Sequence, residues 1–237
     1  MFYITGKLPQ AMTIRDNLQT IGGRIRAAEQ RYGREPGSVR LLAVSKKHPA
    51  AAIREALASG QTLFGESYAQ ELVEKANELA GSNIEWHFIG PIQSNKTHLI
   101  AETARWVHSV DRLKIAQRLS AQKPADAPDL NLCLQVNISG ESSKSGVQPE
   151  ALAELAEQVA ELPGLRLRGL MAIPAPEDDF ALQRAVFAQV RTLQEVLIAR
   201  GFALDTLSMG MTDDMEAAIA EGATLVRIGT AIFGSRQ

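Results

Sequence analysis

The chain has 237 residues, 45% of them hydrophobic and 22% charged, which is typical of a globular protein with a sizeable core. A formal net charge of −2 and a pI of about 6.1 give no electrostatic basis for nucleic acid or an anionic membrane as the main partner. Cys133 is the only cysteine, so an internal disulfide is excluded, and no transmembrane or secretory pattern is present. We therefore expect a cytoplasmic protein.

The predicted elements begin with an amphipathic helix over Ile14–Tyr32, after a flexible leader at residues 1–11. Strand and helix patterns then alternate to the end of the chain. Strands are predicted at Arg40–Ser45, Thr62–Gly65, Ile84–Ile89, Trp106–Val110, Leu130–Ile138, Leu165–Ile173, Leu204–Met209 and Ala223–Ile228. Helices are predicted at Pro49–Ala58, Tyr68–Leu79, Lys96–Ala104, Arg112–Ala121, Pro149–Leu162, Phe180–Arg200 and Thr212–Ala220.

Eight strands, each followed by a helix or by the chain end, predict a single α/β domain over residues 12–237 with the (β/α)8 barrel fold and an additional N-terminal helix. The strands are apolar runs without clean alternation, as expected for parallel strands covered on both faces. The alternative is a doubly wound open sheet. The barrel is favoured because the count is eight and because no GxGxxG motif follows the first strand.

A lysine lies at the end of the first predicted strand. The segment from Arg40 to Lys46 (RLLAVSK) is typical of a buried strand whose last residue carries an amine. Burying an ammonium group is unfavourable, so such a lysine is paired or serves as a neutral nucleophile, for example in a Schiff base with a carbonyl cofactor. The alternative is a solvated lysine at a strand end, which is also our expectation for Lys47.

The loops after the seventh and eighth strands indicate a phosphate site. They read SMGM from Ser208 and GTAIFG from Gly229, with glycines and hydroxyl groups that let backbone N–H groups approach an anion. In the alternative without a ligand, the glycines serve only as turn residues and Thr212 is the N-cap of a helix. We expect this N-cap whether or not phosphate binds. Because two aspartates follow Thr212, the residues favoured for phosphate are Ser208, Gly210, Gly229 and Thr230.

Arg227 lies in an apolar strand (TLVRI) and needs an acceptor if it is buried. It can pair with Asp205 or Glu221, or it can donate to the ring nitrogen of a cofactor. A lysine, a phosphate cradle and an arginine at one barrel mouth suit pyridoxal 5'-phosphate (PLP). We expect Cys133 to be a small core residue and His87 to face the mouth or the core, and the four histidines lack metal-ligand spacing.

The chain closely resembles the pyridoxal phosphate homeostasis protein family, which binds PLP on an alanine-racemase-like barrel of fold type III. The matching motifs run almost from end to end: LLAVSK at 41–46, FGE at 64–66, WHFIGP at 86–91, QSNK at 93–96, QVN at 135–137, KSG at 144–146, GLMAI at 169–173, SMGM at 208–211, DDM at 213–215 and RIGT at 227–230. So many motifs in the same order make the resemblance highly specific.

The resemblance implies that Lys46 carries PLP covalently as a Schiff base and that Arg227 faces the pyridine nitrogen. It also implies that Ser208, Gly210, Gly229 and Thr230 surround the phosphate, and that Asn137 and Met171 line the pocket. The family usually has asparagine where this chain has Ser67. We expect this shorter side chain to reach the cofactor through water.

The resemblance further implies a protein of PLP (vitamin B6) and amino-acid homeostasis without robust catalysis. We expect an open site, which suits handing PLP to PLP-dependent apoenzymes, and a monomer, because no exposed apolar helix stands out in the sequence. Related racemases take a second base, a tyrosine, from an additional β domain, and we expect no such domain here. A weak PLP-dependent racemase or lyase is the alternative, and it predicts exchange of the substrate α-proton. A third reading is a phosphate-binding metabolic enzyme that uses Lys46 for a substrate Schiff base, which predicts colourless protein.

Overall fold

In the computed structural model, which describes residues 12–140 and 145–235, eight parallel strands close into a barrel in chain order. The strands are β1 Arg40–Val44, β2 Leu63–Glu66, β3 Glu85–Phe88, β4 Trp106–Val110, β5 Leu130–Val136, β6 Leu165–Ala172, β7 Thr206–Ser208 and β8 Leu225–Ile228. Pairing of β8 with β1 closes the sheet, which confirms the predicted barrel and rules out the open sheet. The leader predicted at residues 1–11 lies outside the described part of the chain.

Helices cover the outside of the barrel, and α1 precedes the first strand as predicted. The helices are α1 Ile14–Arg31, α2 Ala50–Ala58, α3 Ala69–Glu78, α4 Thr97–Thr103, α5 Leu113–Gln122, α6 Leu152–Ala160, α7 Phe180–Ala199, α8 Met215–Ala220 and α9 Thr230–Phe233. Short 3-10 helices at Ser94–Lys96 and Pro149–Ala151 lead into α4 and α6. The start of α1 is fixed by a capping box between Thr13 and Asp16.

Two features near the last strands differ from the predictions. The predicted N-cap at Thr212 is wrong: α8 begins at Met215 with Asp214 as its N-cap. The reason is a turn before the helix, in which the Asp214 carboxylate accepts a hydrogen bond from the N–H of Met211. The glycine-rich segment after β8, predicted as a loop, contains the single-turn helix α9.

The main hydrophobic core lies between the strands and the surrounding helices. The barrel interior is different, because a small separate apolar cluster of Trp106, Cys133 and Met171 lies there beside the buried polar side chains of His87 and His108. Cys133 is fully buried there, which confirms it as a small core residue, and burial raises the pKa of its thiol to about 12. Most (β/α)8 barrels fill this space with branched apolar side chains, so a polar interior is unusual and indicates a functional role.

Within residues 12–140 and 145–235, no helix combines the length and the apolar character that crossing a membrane requires. Because all strands run parallel, their carboxyl ends meet at one rim of the barrel, where loops carry the functional residues of this fold.

Candidate functional site

Lys46 lies in a tight turn at the carboxyl-terminal rim. The prediction that the strand continues to this lysine is wrong, because β1 ends at Val44 and the N–H of His48 donates to the carbonyl of Ser45 to close a turn. Lys46 is half-buried, whereas Lys47 is exposed, as expected, and adopts a left-handed backbone conformation with a φ of 62°. A non-glycine residue in that conformation is uncommon, so this turn must be held by its surroundings.

A buried lysine on α3 holds the turn. The Nζ atom of Lys75 donates to the Ser45 carbonyl, to Glu66 Oε1 and to Glu71 Oε1, each at 2.7 Å. Glu71 also accepts the N–H of Lys47 at 2.5 Å, so the backbone is tied down on both sides of Lys46. Burial raises the pKa of the Glu66 carboxyl, against the opposing effect of Lys75.

Sequence reasoning missed this network. One signal was available, because Glu71 and Lys75 stand four residues apart on a helix, a spacing that favours an ion pair. Nothing local pointed to Glu66, which lies at the end of β2 and meets Lys75 only in the folded barrel.

The two loops predicted to bind phosphate lie close to the Lys46 turn. A Cβ atom added to Gly229 would come within 3.2 Å of the Val44 carbonyl oxygen at the end of β1. Phe233, in α9, stacks on His48 with ring centroids 5.2 Å apart. The β1–α2 turn and the β8–α9 segment therefore form one side of the rim.

Glycine is required at position 210. Its φ is 95°, and a Cβ atom there would lie 2.6 Å from the Cβ of Ala218. Its carbonyl accepts the N–H of Arg227 at 2.9 Å, which joins the β7 loop to β8. Thr230, at the start of α9, is exposed, and its hydroxyl forms no hydrogen bond with the described residues. The loops thus present a glycine turn and an available hydroxyl.

Arg227 lies buried in β8, with its guanidinium in the barrel interior. Nη1 donates to the carbonyl and hydroxyl oxygens of Ser208, and Nη2 donates to the carbonyl of Ala172 at 2.9 Å. Burial lowers its pKa to about 10, so the group is charged at neutral pH. The described residues provide no acceptor for its Nε, and a guanidinium carries five N–H donors.

The carboxylates considered as partners of Arg227 are engaged elsewhere. Asp205 forms a bidentate pair with Arg168, and Glu221 pairs with Arg184 and Arg191. The prediction that Arg227 pairs with Asp205 or Glu221 is therefore wrong. The alternative, in which Arg227 donates to a bound group, is favoured.

A continuous row of polar side chains lies behind Arg227. Ser208 Oγ is 2.7 Å from His108 Nδ1, His108 Nε2 is 2.8 Å from His87 Nδ1, and His87 Nε2 is 3.0 Å from Glu85 Oε1. His87, expected at the mouth or in the core, lies in the interior of the barrel. Burial lowers the pKa of both histidines, so they are neutral at physiological pH.

The remaining predicted residues follow other strands around the rim. Ser67 comes directly after β2 and lines a cleft with Tyr68 and Gln93, while Gly90 packs against its backbone. Asn137 is buried after β5, and its N–H donates to the Val147 carbonyl at 3.0 Å.

Met171 lies in β6, in register with Gln135 on one side and Ser208 on the other. Above this part of the rim is a cavity of about 240 Å³ lined by Ile89, Pro91, Gln135, Ser145 and Ile173. The segment after β5 is described up to Gly140 and again from Ser145 onward.

Two larger clefts lie away from this rim. One of about 480 Å³ separates α1 from the end of α2, and one of about 440 Å³ opens at the amino-terminal face beside Glu85, Arg40 and Arg168. The described residues contain no group of three or more His, Cys, Asp or Glu side chains that could hold a metal ion. We place the candidate site at the carboxyl-terminal rim because the amine, the glycine turn and the buried guanidinium meet there.

Comparison with known proteins agrees with this fold. Residues 17–237 match the family described as "Alanine racemase, N-terminal domain". The solved structure of PipY from Synechococcus elongatus, with PLP bound, superposes with a TM-score of 0.82 at 39% identity, covering 94% of this chain and 100% of PipY. The class of protein is thus a barrel of the alanine racemase N-terminal type.

Two curated relatives are both named pyridoxal phosphate homeostasis protein. The one from Pseudomonas aeruginosa is 62% identical over 95% of this chain and 96% of its own length. The one from Escherichia coli K12 is 56% identical over 94% of this chain and 97% of its own length. The chain belongs to the family of pyridoxal phosphate homeostasis proteins, as its motifs predicted.

Proposed function

We propose that this protein binds PLP at the carboxyl-terminal rim of the barrel, holds it as a Schiff base on Lys46 and serves PLP (vitamin B6) and amino-acid homeostasis. The observation that carries the proposal is the buried, charged Arg227, which meets only neutral oxygens and whose Nε has no acceptor among the described residues. The names of the relatives and the PLP bound to PipY support it.

The residues of this rim fit PLP. The backbone N–H groups of the segments at Gly210 and Gly229, with the Thr230 hydroxyl, would hold the phosphate, since glycine allows close approach of an anion. Lys46 would supply the amine that binds the aldehyde. Bound PLP stabilises negative charge at the α-carbon of an amino acid.

Arg227 would face the pyridine nitrogen. A charged guanidinium can only donate a hydrogen bond, so it keeps that nitrogen unprotonated and weakens the ring as an electron sink. Ser208, whose hydroxyl is engaged with Arg227 and His108, would contribute by supporting Arg227. Ser67, Asn137 and Met171 would line the pocket.

We propose a carrier without robust catalysis rather than an enzyme. Of the tyrosines that could serve as a second base, Tyr32 is bonded to Glu216 on the helix layer, and Tyr68 is exposed and lies beside Lys47. A weak racemase or lyase would instead exchange the α-proton of an amino acid in deuterated water, and proton NMR measures that exchange. We further propose a cytoplasmic monomer of one domain, with PLP-dependent apoenzymes as transient acceptors.

The attachment site can be tested directly. Incubation with PLP, borohydride reduction and peptide mass mapping should place a phosphopyridoxyl group on Lys46, and Lys46→Ala should lose it while keeping the fold. Lys47→Ala is the matched control and should keep the adduct. The proposal would be refuted if Lys46→Ala carried the adduct on another lysine with unchanged affinity for PLP. It would also be refuted if the unaltered protein formed no adduct.

The phosphate loops give a second prediction. Thr230→Val removes an exposed hydroxyl and keeps the side-chain volume, so PLP affinity should fall about tenfold or more, as expected for one hydrogen bond to a charged group. Fluorescence titration would measure it. Pyridoxal, which lacks the phosphate, should bind both proteins equally, and an unchanged PLP affinity would remove Thr230 from the site.

A further inference from the structure

The polar row inside the barrel joins a buried arginine to a carboxylate on the opposite face. Arg227 lies at the end of β8 that meets the carboxyl-terminal rim, whereas Glu85 begins β3 and lines the cleft at the amino-terminal face. Ser208, His108 and His87 stand between them, and each is fully buried.

The positions of the protons in this row follow from its two ends. An arginine can only donate, so Ser208 Oγ accepts from Nη1 of Arg227 at 2.9 Å. A carboxylate can only accept, so His87 must carry its proton on Nε2 to reach Glu85.

Burial lowers the pKa of both histidines, and with both rings neutral only one arrangement of the middle satisfies both ends. The Ser208 hydroxyl donates to His108 Nδ1, and His108 Nε2–H donates to His87 Nδ1. Each neutral ring thus carries its single proton on Nε2. Every donor points toward Glu85.

This direction has an electrostatic consequence. Each neutral group turns its lone pair toward the positive Arg227 and its hydrogen toward the negative Glu85, so the dipoles stabilise both charges. A buried charge without compensation is strongly unfavourable. Among the described residues, Arg227 donates hydrogen bonds only to neutral oxygens, and the charge of Asp214 opposes the lowering of its pKa by burial.

We propose that Ser208, His108 and His87 link Arg227 to Glu85, and that this relay orients Arg227 toward the bound cofactor. Glu85 also pairs with Arg40 at 3.5 Å, so the relay fixes proton positions and does not supply the sole counter-charge of Arg227. The part concerning the cofactor rests on the proposed function, but the relay itself does not. His108, His87 and Glu85 are thus positioning residues.

Local structure supports the relay. The β4–β5 register shifts between Val107 and Val110, and such bulges re-aim side chains, here at His108. The Trp106 ring stacks on His87 with an interplanar angle of 5° and a centroid distance of 5.6 Å, which fixes the imidazole. The bond from His87 holds the pKa of Glu85 below its usual range, so this end is ionised.

The arrangement of protons can be tested without any cofactor. Nitrogen NMR of histidine-labelled, unloaded protein should show two neutral imidazoles with the proton on Nε2, and Ser208→Ala should move the Nδ1 signal of one of them. The relay would be overturned if either ring were a positively charged imidazolium at neutral pH, or if either neutral ring carried its proton on Nδ1.

The effect of the Glu85 charge on the relay is tested by Glu85→Gln, which keeps an oxygen for His87 but removes the charge. It should keep the Nε2–H forms, shift the absorption maximum of bound PLP and weaken PLP affinity about tenfold. Ser208→Ala, which cuts the relay at Arg227, should shift the spectrum in the same direction.

Glu216→Gln, which removes a hydrogen-bonded carboxylate on the helix layer, is the control and should change neither the spectrum nor the affinity. If Glu85→Gln leaves both the spectrum and the affinity unchanged while Ser208→Ala alters them, the relay does not extend to Glu85. The PLP adduct on Lys46 of the unaltered protein is mapped in parallel. Its presence shows that PLP binds, so an unchanged Glu85→Gln variant then counts against the relay and not against PLP binding.

Discussion

At the scale of single residues, burial decides the charge of His87 and His108. Both rings lie inside the barrel, and the cost of placing an imidazolium there lowers each pKa. The bond to Glu85 opposes this effect for His87, and His108 also feels repulsion from His87. Two neutral histidines in the folded state must gain protons in acid, and this links stability to pH.

The folded protein should lose stability below about pH 6.5, the usual pKa of an unfolded histidine. Because the folded pKa values are lower, the unfolded chain binds protons first as the pH falls, so the free energy of unfolding decreases. Each histidine contributes up to about 1.4 kcal/mol per pH unit. Glu66 offsets part of this loss, because its pKa is raised. Urea denaturation at pH 7.5, 6.5 and 5.5 would measure the net loss.

Three carboxylates have lowered pKa values: Glu85, Asp205 and Glu216. Their protonation reduces the free energy of unfolding only at more acidic pH, so the pH ranges of the histidines and of the carboxylates can be separated. A free energy of unfolding that stays constant from pH 7.5 to 5.5 would contradict neutral, buried histidines.

Single residues also show where sequence reasoning stops. Lys46 and Arg227 were recognisable because Lys46 directly follows an apolar strand pattern and Arg227 lies within one, where a charge is unexpected. His108 and Ser208 are separated by about a hundred residues and meet only when the barrel closes. No local pattern encodes such a contact, so the relay could not be predicted.

At the scale of elements, helix α3 fixes the turn that follows β1. Lys75 reaches from this helix to the Ser45 carbonyl and to two carboxylates, and its side chain is only 7% exposed. A buried ion pair adds little net stability, but removing one partner leaves a buried charge behind.

We therefore expect Lys75→Met to destabilise the fold by about 3–5 kcal/mol, because Glu66 loses its cation. It should also reduce PLP loading on Lys46, since the turn loses its anchor. Urea denaturation and borohydride trapping would measure the two effects separately.

A second substitution separates stability from positioning. Glu66→Gln combined with Lys75→Met removes the orphaned charge, so much of the stability should return while loading stays low. Lys114→Met, at an exposed position of α5, is the control for the loss of a lysine. Full loading in Lys75→Met would show that α3 does not position Lys46.

The elements themselves were largely predictable. Apolar runs marked all eight strands, and the helical periodicity of α1 was recognised because its buried positions recur along one face. The ends were less predictable, because hydrogen bonds from outside the element decide them. The Asp214–Met211 bond delays the start of α8, and the short α9 has too few residues for a periodic signal.

At the scale of the whole molecule, pairing of β1 with β8 brings the ends of the sheet together. Four residue pairs, from Arg40–Leu225 to Ala43–Ile228, form this seam. The seam places Lys46 beside the loop that begins at Gly229, so the proposed cofactor would bridge the first and last strands.

Binding at this seam should stabilise the whole barrel, because unfolding would separate the parts of the site. At a free PLP concentration of one hundred times Kd, the free energy of unfolding should rise by about 2.7 kcal/mol. Urea denaturation with and without PLP would measure it. Pyridoxal at the same concentration and Lys46→Ala are the controls, and equal stabilisation in all three cases would argue against binding at the seam.

The seam also orders events during synthesis of the chain. Lys46 leaves the ribosome early, but Arg227, Gly229 and Thr230 emerge only with the last strand. A nascent chain can therefore display the amine long before the cradle for the phosphate exists. Capture of the cofactor would then mark a finished barrel, and a chain interrupted before β8 would carry the lysine yet have nothing to hold its ligand.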